Sequence, residues 1–274
     1  MSKVKKVVIP AAGAGKRFYP LTKAQPKEML PIYDKPVIHY VVEEAVRSGL
    51  DEILIIVGQG KDAIINYFDY NILDDSLDEY GIRSFPDIFY VRQKKPLGLG
   101  DSLRYAEKFV GDEPFVLLLG DTIYRSHEKK TVTSQIVDSY YKVKNPIIAV
   151  EKVRKEKIPD YGIISGKSVE KDVWKIDSLV EKPSAKEAPS DLGIVGIYLL
   201  EEDIFSYLKQ IKAGKDGEYQ LTDALNLFCK DHDLFATTFK GDRFDIGTKE
   251  LWMEAFIEFM KMNGKHKLIE KMNK

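Results

Sequence analysis

The sequence predicts an α/β fold: a Rossmann-like mixed, mostly parallel sheet flanked by helices, with a smaller α+β part and C-terminal helices. Three observations support this prediction. Short apolar runs recur through the first half of the chain, amphipathic segments separate them, and from about Tyr161 the strand candidates become shorter and alternate with Pro, Gly and Ser. Buried strands that alternate with helices are typical of a parallel sheet covered on both faces.

The strand candidates are short and rich in β-branched residues, as strands buried on both faces are. In the first half they cover residues 4–10, 52–58, 87–93, 114–120 and 146–152. In the second half they cover residues 162–165, 173–180 and 193–200.

Helices are predicted where apolar residues recur at i, i+3 and i+4. The first begins at Pro36 and ends at Gly49, which suits proline at a helix start and glycine at its end. Further helices are predicted over 102–109, 131–144 and 222–229, and a long C-terminal helix within 248–274 starts near Lys249. Its stripe of Trp252, Ala255, Phe256, Phe259 and Met260 predicts packing against the core. Without a repeat or linker, we expect one domain over 1–274.

The composition excludes several classes of protein. The 274 residues include 42 Lys plus Arg and 43 Asp plus Glu, a net charge of −1, and 44% are hydrophobic. A nucleic-acid-binding surface usually needs a basic excess, and a disordered chain lacks this apolar content. The apolar runs are far shorter than the ~20 residues that cross a bilayer, so we expect no membrane span and a cytoplasmic protein.

The cysteine and histidine content limits the possible metal sites. Cys229 is the single cysteine, so an intramolecular disulfide and a multi-thiolate zinc site are both excluded. The four histidines are scattered, with no pair at metal-ligand spacing. Any metal must therefore use oxygen ligands.

A glycine-rich loop, PAAGAGKRF at 10–18, follows the first predicted strand, where α/β proteins bind ligands. A dinucleotide fingerprint would need a third glycine at Phe18. A Walker loop would need glycine at Pro10 and Ser or Thr at Arg17. The remaining pattern, Gly13-x-Gly15-x-Arg17, is either a phosphate-binding turn with a guanidinium donor or a plain glycine-rich turn.

Nine segments in a fixed order give this chain a family resemblance. They are GAGKR (13–17), PKEMLP (26–31), DKPVIHYVVEEA (34–45), PLGLGDSL (96–103), LLLGD (117–121), EKP (181–183), APSDLGIVGIYLL (188–200), EYQLTDAL (218–225) and FDIGTK (244–249). With them the sequence resembles the sugar-phosphate nucleotidyltransferases, and most of all those that use UTP and glucose-1-phosphate. The resemblance covers nearly the whole chain. It implies a nucleotide-binding part over about 1–150, a sugar-phosphate-binding part over about 151–247 and a C-terminal helix over 248–274.

The implied reaction is attack of a glucose-1-phosphate oxygen on the α-phosphorus of UTP, giving UDP-glucose and pyrophosphate. Such chemistry needs alignment of two polyanions and neutralisation of charge rather than acid–base groups. The resemblance implies catalytic roles for Arg17, Lys27, Asp121 and Lys182, with Mg²⁺ as the cofactor. Asp121 ends an apolar run and would be one magnesium ligand, since Mg²⁺ prefers carboxylates and phosphate oxygens. Asp245 would be the other ligand, would support it indirectly, or simply caps the helix near Lys249.

The resemblance also implies two sets of binding residues. The nucleotide would contact Ala11, Ala12, Gly13, Gly15, Lys27, Gln93, Gly98 and Asp121, with Gln93 reading the pyrimidine edge through its donor and acceptor atoms. The sugar phosphate would contact Tyr161, Gly162, Glu181, Lys182 and Gly196. A homo-oligomer, dimer or tetramer, is expected from the resemblance and from the aromatic C-terminal helix.

Other functions remain open at this stage. Lys16 stands where the family usually has threonine, and residues 18–22 and 32–36 look closer to glucose-1-phosphate thymidylyltransferases, so dTTP or dual specificity is the main alternative. A non-catalytic sugar-nucleotide-binding subunit would keep the pocket but lose charged residues, whereas Arg17, Lys27, Asp121 and Lys182 are all present. Phe18 argues against a Rossmann dehydrogenase.

Overall fold

A computed structural model describes residues 3–69, 85–214 and 217–265 of the chain. The strands are β1 (Lys6–Ala11), β2 (Pro31–Ile32), β3 (Lys35–Pro36), β4 (Glu52–Val57), β5 (Ile88–Arg92), β6 (Phe115–Leu118), β7 (Thr122–Ser126), β8 (Ile147–Lys152), β9 (Gly162–Glu170), β10 (Val173–Glu181), β11 (Leu192–Leu200), β12 (Phe235–Thr237) and β13 (Gly241–Asp245). The helices are α1 (Val37–Arg47), α2 (Asp62–Phe68), α3 (Leu99–Arg104), α4 (Glu107–Val110), α5 (Val132–Val143), α6 (Ile204–Leu208), α7 (Leu221–Phe228) and α8 (Lys249–Met262).

The central sheet has the strand order β5-β4-β1-β6-β11-β8-β12-β10-β9. Strands β5, β4, β1 and β6 are parallel neighbours, and β8 and β12 also run parallel. Strands β10 and β11 run opposite to the others, because each of their pairings is antiparallel. The prediction of a mixed, mostly parallel sheet is confirmed, and this sheet takes strands from both halves of the chain.

Each face of the sheet is covered by helices. Because side chains alternate along a strand, Val8 of β1 packs on one face while Val7 and Ile9 pack on the other. Residues of α3, α4, α6 and α7 lie in the Val8 core, and residues of α1, α2 and α5 lie in the opposite core. The three-layer arrangement leaves the C-terminal ends of β1 and β6 open at one edge of the sheet. The glycine loop follows β1 there, and the segment that carries Asp121 follows β6.

Most predicted helices are confirmed, with one correction. The helix predicted over 102–109 is two short helices, α3 and α4, separated by a tight turn in which Tyr105 and Ala106 donate backbone hydrogen bonds three residues back. The periodic apolar residues, among them Leu103 and Val110, still reach the core. Apolar spacing therefore continued through a turn that breaks the helix.

The C-terminal helix begins at Lys249, as predicted, and ends at Met262. The predicted range continued to residue 274, but residues 263–265 are not helical and residues 266–274 lie outside the described residues. Ala255, Phe259 and Met260 are buried, and Trp252 packs beside them and donates a 2.9 Å hydrogen bond to the Pro31 carbonyl. The stripe thus packs against the core. Within the described parts of the chain, no helix is long and apolar enough to cross a membrane.

Several elements had no sequence signal. The antiparallel ribbon of β7 and β13, the short pair β2–β3, strand β12 and helices α2 and α6 were not predicted. Strand β9 also extends to Glu170, well past the predicted end at residue 165. Its second half is polar and exposed, so hydrophobicity could not reveal it.

Candidate active site

The glycine loop follows β1 at the open edge of the sheet. Gly15 has φ of 63°, and a side chain there would lie 3.2 Å from the Thr22 side chain, whose hydroxyl donates a 2.7 Å hydrogen bond to the Gly15 carbonyl. Left-handed backbone and close packing together require glycine at this position. Phe18 is buried and anchors the short turn that follows. The loop therefore has a defined backbone conformation beside the end of β1.

A cleft of about 410 Å³ opens beside this loop. Most of the residues predicted to contact the nucleotide line it: Ala12, Gly13, Gly15, Gln93, Gly98 and Asp121. Arg17, predicted as a catalytic residue, lines it as well. Ala11 does not line it, because its side chain is buried in the core beneath the loop. Leu99, Ser102 and Glu218 also contribute to the wall, although the sequence did not single them out.

A second cleft of about 280 Å³ shares Ala12, Gly13 and Gln93 with the first, and Lys27 lies in its wall. A side chain at Gly13 would lie 3.8 Å from the Lys27 side chain, so the lysine runs beside the loop. Its ammonium group contacts a carboxylate oxygen of Asp121. Lys27 thus lies between the two clefts, at the strand end that carries Asp121.

Asp121 and Asp245 come together where β6 ends and the β7–β13 ribbon begins. Asp245 is paired with Thr122 across this ribbon, and the Ile246 N–H donates a 2.9 Å hydrogen bond to the Asp121 carbonyl. Burial raises the pKa of Asp245, the charge of Asp121 raises it further, and Arg243, Lys27 and Arg17 oppose both effects. The two carboxylates are therefore close enough to repel one another.

A divalent cation fits this pair of carboxylates. Repulsion between two partly buried carboxylates is relieved when a cation binds both. Among the described residues, no group of three or more His, Cys, Asp or Glu side chains could hold a metal, so these residues alone form no complete cage. Two carboxylates completed by substrate phosphate oxygens are the arrangement that Mg²⁺ favours.

Arg243 is a site residue that the sequence analysis missed. Its guanidinium donates hydrogen bonds of 2.6 and 2.8 Å to Glu151, one of 2.7 Å to the Tyr161 hydroxyl and a longer one of 3.4 Å to Asp245. The side chain is only 9% exposed, and burial lowers the pKa of Arg243. The charge and hydrogen bonds of Glu151, together with Tyr161 and Tyr124, outweigh burial, so the pKa is raised overall. It links one carboxylate of the predicted metal site to the predicted sugar-binding residues.

The predicted sugar-phosphate residues form a second group on β9, β10 and β11. Gly162 is paired with Glu181 across β9 and β10, and the Lys182 N–H donates a 3.0 Å hydrogen bond to the Tyr161 carbonyl. Lys182 has φ of 45°, an uncommon conformation for a residue with a side chain. Its ammonium group is half exposed and lies 3.3 Å from Glu181.

Glu181 is oriented by Thr222, whose hydroxyl donates a 2.6 Å hydrogen bond to Oε2. A side chain at Gly162 would lie 3.1 Å from the same hydroxyl and 3.2 Å from Glu181 Oε2, so glycine leaves the carboxylate accessible. Thr222 lies in the sequence segment 218–225, but nothing in that segment indicated its contact with Glu181. Only the packing of α7 against β10 brings them together.

Gly196 joins the two groups. It lies at an irregularity in the β11–β8 pairing, with φ of 91°, and its carbonyl accepts a 3.1 Å hydrogen bond from the Leu119 N–H. A side chain there would lie 3.0 Å from the Leu119 side chain, which lines the first cleft. Gly196 therefore lies next to the cleft wall, although the sugar-phosphate residues themselves do not line either cleft.

The chain is similar to known proteins over most of its length. Residues 6–261 match the family model described as nucleotidyl transferase. The UTP–glucose-1-phosphate uridylyltransferase YngB of Bacillus subtilis is 46% identical over 258 residues, which cover 90% of this chain and 86% of that protein.

Two solved structures share the fold. One, described as UDP-glucose pyrophosphorylase complexed with UDP-glucose, is 40% identical and superposes with a TM-score of 0.90 over 95% of this chain and 100% of that one. The other, described as a UTP-bound UGPase from Acinetobacter baumannii, is 32% identical with a TM-score of 0.86 over 98% of this chain and 99% of that one. Both therefore extend across the two groups of site residues.

Proposed function

The chain belongs to the nucleotidyl transferase family, and on that premise we propose that it transfers the uridylyl group of UTP to glucose-1-phosphate, giving UDP-glucose and pyrophosphate. The observation that carries this proposal is the convergence of Arg17, Lys27, Asp121 and Asp245 beside the glycine loop. Two cations and a carboxylate pair suit a reaction in which a triphosphate loses pyrophosphate.

The reaction makes one bond and breaks one. An oxygen of the glucose-1-phosphate dianion attacks the α-phosphorus of UTP, and the bond from that phosphorus to the β-phosphate bridging oxygen breaks, so pyrophosphate leaves with the bonding electrons. Because the second phosphate pKa is about 6, the nucleophile needs no general base at neutral pH. The protein's task is to align the two anions and neutralise their charge.

The residues divide this task. The backbone of Ala12, Gly13 and Gly15 would hold phosphate oxygens, and Arg17, which donates to the Gly247 carbonyl at 3.3 Å, would hold the leaving pyrophosphate. Lys27 would neutralise charge near the α-phosphate. Gln93 and Gly98 would contact uracil.

At the sugar end, Lys182 would bind the phosphate of glucose-1-phosphate. Glu181, held by Thr222, would accept hydrogen bonds from sugar hydroxyls, and Gly162 and Gly196 would leave room for the ring. Tyr161 would position this group through its contacts with Lys182 and Arg243.

Asp121 and Asp245 would hold Mg²⁺ together with phosphate oxygens. The ion, when bound, would neutralise negative charge on the triphosphate. Lys27 would then exchange its contact with Asp121 for one with phosphate, so the same lysine serves the site with and without substrate.

The test is an activity matrix on the purified full chain, with UTP, dTTP, CTP and ATP each combined with glucose-1-phosphate and galactose-1-phosphate. We expect pyrophosphate and UDP-glucose only when UTP, glucose-1-phosphate and Mg²⁺ are present. A clear preference for dTTP would assign the thymidylyl reaction instead. No pyrophosphate release from any pair would leave the non-catalytic binding role.

A variant ties the reaction to the site. Asp121→Asn removes a charge at the proposed metal and should abolish Mg²⁺-dependent pyrophosphate release. Asp138→Asn makes the same change on an exposed face of α5 and should leave the rate unchanged. Full activity of Asp121→Asn would remove Asp121 from the mechanism.

Sedimentation of the unaltered chain tests the separate proposal that it forms a homo-oligomer.

A further inference from the structure

The amide of Gln93 is held in one orientation by neighbouring acceptors. Its Nε2 donates a 2.8 Å hydrogen bond to Asp101 Oδ2 and a longer one of 3.4 Å to the Gly98 carbonyl. An ionised carboxylate can only accept, so the nitrogen of the amide, and not its oxygen, must face Asp101. The choice between the two amide orientations is therefore made by Asp101.

The oxygen of this amide is left for a ligand. Within the described residues Gln93 Oε1 has no hydrogen-bond partner. Unlike the Ser102 hydroxyl, it is not completely buried, so a ligand can reach it. The side chain as a whole is only 4% exposed, and it lines the cleft. Gln93 thus presents an acceptor oxygen to the cleft. Of the two N–H groups on Nε2, one is bonded to Asp101, and only the one in the longer contact to Gly98 could also turn to a ligand.

Asp101 is itself held in place. Its other carboxylate oxygen lies 3.6 Å from a guanidinium nitrogen of Arg104. Arg104 donates to the Leu208 carbonyl and stacks over the Tyr219 ring, 4.4 Å from its centroid. Helix α3 carries both Asp101 and Arg104. The Asp101 carboxylate is therefore held in place by a neighbouring residue of its own helix.

The acceptor that Gln93 presents to the cleft is complementary to uracil and thymine but not to cytosine. Uracil and thymine carry a donor at N3 beside an acceptor at O4, whereas cytosine carries an acceptor at N3 beside a donor at N4. Gln93 Oε1 can accept from N3–H of uracil but repels N3 of cytosine. The nearby Ser102 hydroxyl is buried and has no hydrogen-bond partner in the described parts of the chain, but a hydroxyl can donate or accept and cannot make this distinction.

We propose that Asp101 is a specificity-determining residue: by fixing the Gln93 amide it selects uracil or thymine nucleotides against cytosine nucleotides. The inference rests on the proposed function, because it assumes that the cleft holds the base of the nucleotide donor. Asp101 contacts no substrate itself and acts through Gln93, which makes it a positioning residue.

The test compares UTP and CTP binding by calorimetry on the full chain, without sugar phosphate. The unaltered protein should bind UTP at least about 100-fold more tightly than CTP, because a mismatched buried polar group is costly. Asp101→Asn places an amide beside Gln93, allows its amide to turn over, and should reduce this preference by about tenfold or more. Asp62→Asn, an exposed aspartate in the first turn of α2, is the matched control and should keep the preference.

A second measurement does not depend on the variant. UTP methylated at N3 has lost the donor that Oε1 accepts and should bind the unaltered chain at least about tenfold more weakly than UTP. Equal binding of the two nucleotides, or an unchanged UTP-to-CTP ratio in a folded Asp101→Asn protein, would overturn the inference. If the unaltered chain bound no UTP, the proposed function would fail and the inference with it.

Discussion

The ammonium group of Lys27 contacts a carboxylate oxygen of Asp121, although 94 residues separate them in the chain. Burial alone would lower the pKa of Lys27, but the charges of Asp121, Glu28 and Asp245 outweigh burial and raise it. Lys27 therefore stays positively charged at neutral pH. A permanently charged lysine between the glycine loop and the carboxylate pair is what the proposed phosphate chemistry needs.

Replacing Lys27 by methionine should slow the reaction without unfolding the protein. We expect kcat to fall by about 10² to 10³, the usual effect of removing one donor to developing charge. The measurement is pyrophosphate release at saturating UTP and glucose-1-phosphate, with thermal unfolding recorded in parallel. Lys129→Met, an exposed lysine beyond β7, is the control and should have the kcat of the unaltered chain. A normal kcat for Lys27→Met would exclude the lysine from charge neutralisation.

The parts of the site that the sequence could predict are those fixed by local position. Gly13, Gly15 and Arg17 lie in the loop that follows β1, and Asp121 lies just after β6, so their place near the strand ends follows from the order of elements. Strands β1, β4, β6, β8 and β11 were predictable because their burial leaves continuous apolar runs.

The remaining parts depend on pairing between distant segments. Arg243 meets Glu151 and Tyr161 only because β13 pairs with β7 beside β8 and β9, and this short ribbon of mixed polarity has no hydrophobic pattern. Likewise, Asp101 lies in the segment PLGLGDSL (96–103), from which only Gly98 was predicted as a binding residue. Its contact with Gln93 depends on how α3 packs beside β5.

Arg243 should control how tightly Asp245, one of the two proposed magnesium ligands, is held. Arg243→Lys keeps the charge but cannot reach Glu151, Tyr161 and Asp245 together, because lysine lacks the planar fork of donors. We expect activity to fall by about 10- to 100-fold, partly recovered at high Mg²⁺, as for residues that orient metal ligands.

The measurement for Arg243→Lys is the rate as a function of Mg²⁺ concentration. Arg125→Lys makes the same change in the partner strand of the ribbon, where the guanidinium is 46% exposed and contacts Asp242, and should leave the Mg²⁺ dependence unchanged. An unaltered Mg²⁺ dependence in Arg243→Lys would contradict the positioning role.

The ion pair of Lys61 and Glu28 should be important for folding. Its atoms lie 2.6 Å apart, and the side chains are only 6% and 2% exposed. Burial raises the pKa of Glu28, while Lys61 and Lys27 lower it. Lys61→Met leaves the buried Glu28 carboxylate without its ion-pair partner and should lower the unfolding free energy by about 3–5 kcal/mol.

Denaturant unfolding measures this cost, with Lys130→Met as the control. Lys130 pairs with Asp138 at 2.5 Å, but both side chains are largely exposed, so its loss should cost less than about 1 kcal/mol. Removing both partners, in Lys61→Met/Glu28→Leu, should recover part of the stability, since no buried charge is then left unpaired. Equal costs for Lys61→Met and Lys130→Met would contradict the importance of burial.

His39 should contribute a pH-dependent part of the stability. Its ring is fully buried against Tyr40, Tyr67 and Phe85, and its Nδ1 lies 3.0 Å from the Tyr67 hydroxyl. Burial, with a smaller effect of the Lys35 charge, lowers the pKa of His39 from 6.5 to about 4. The unfolded chain therefore binds a proton at a pH where the folded chain does not.

The sign of the effect follows from linkage. The stabilising contribution of neutral His39 is complete above pH 6.5 and is lost as the pH falls towards 4, by about 1.4 kcal/mol per pH unit. His39→Phe keeps a ring but does not titrate, so its unfolding free energy should fall less between pH 7 and pH 4 than that of the unaltered chain. Urea unfolding at several pH values measures this difference, with His232→Phe, an exposed histidine, as the control. If the three proteins lost stability in parallel, the protonation of His39 would not be coupled to unfolding in this range.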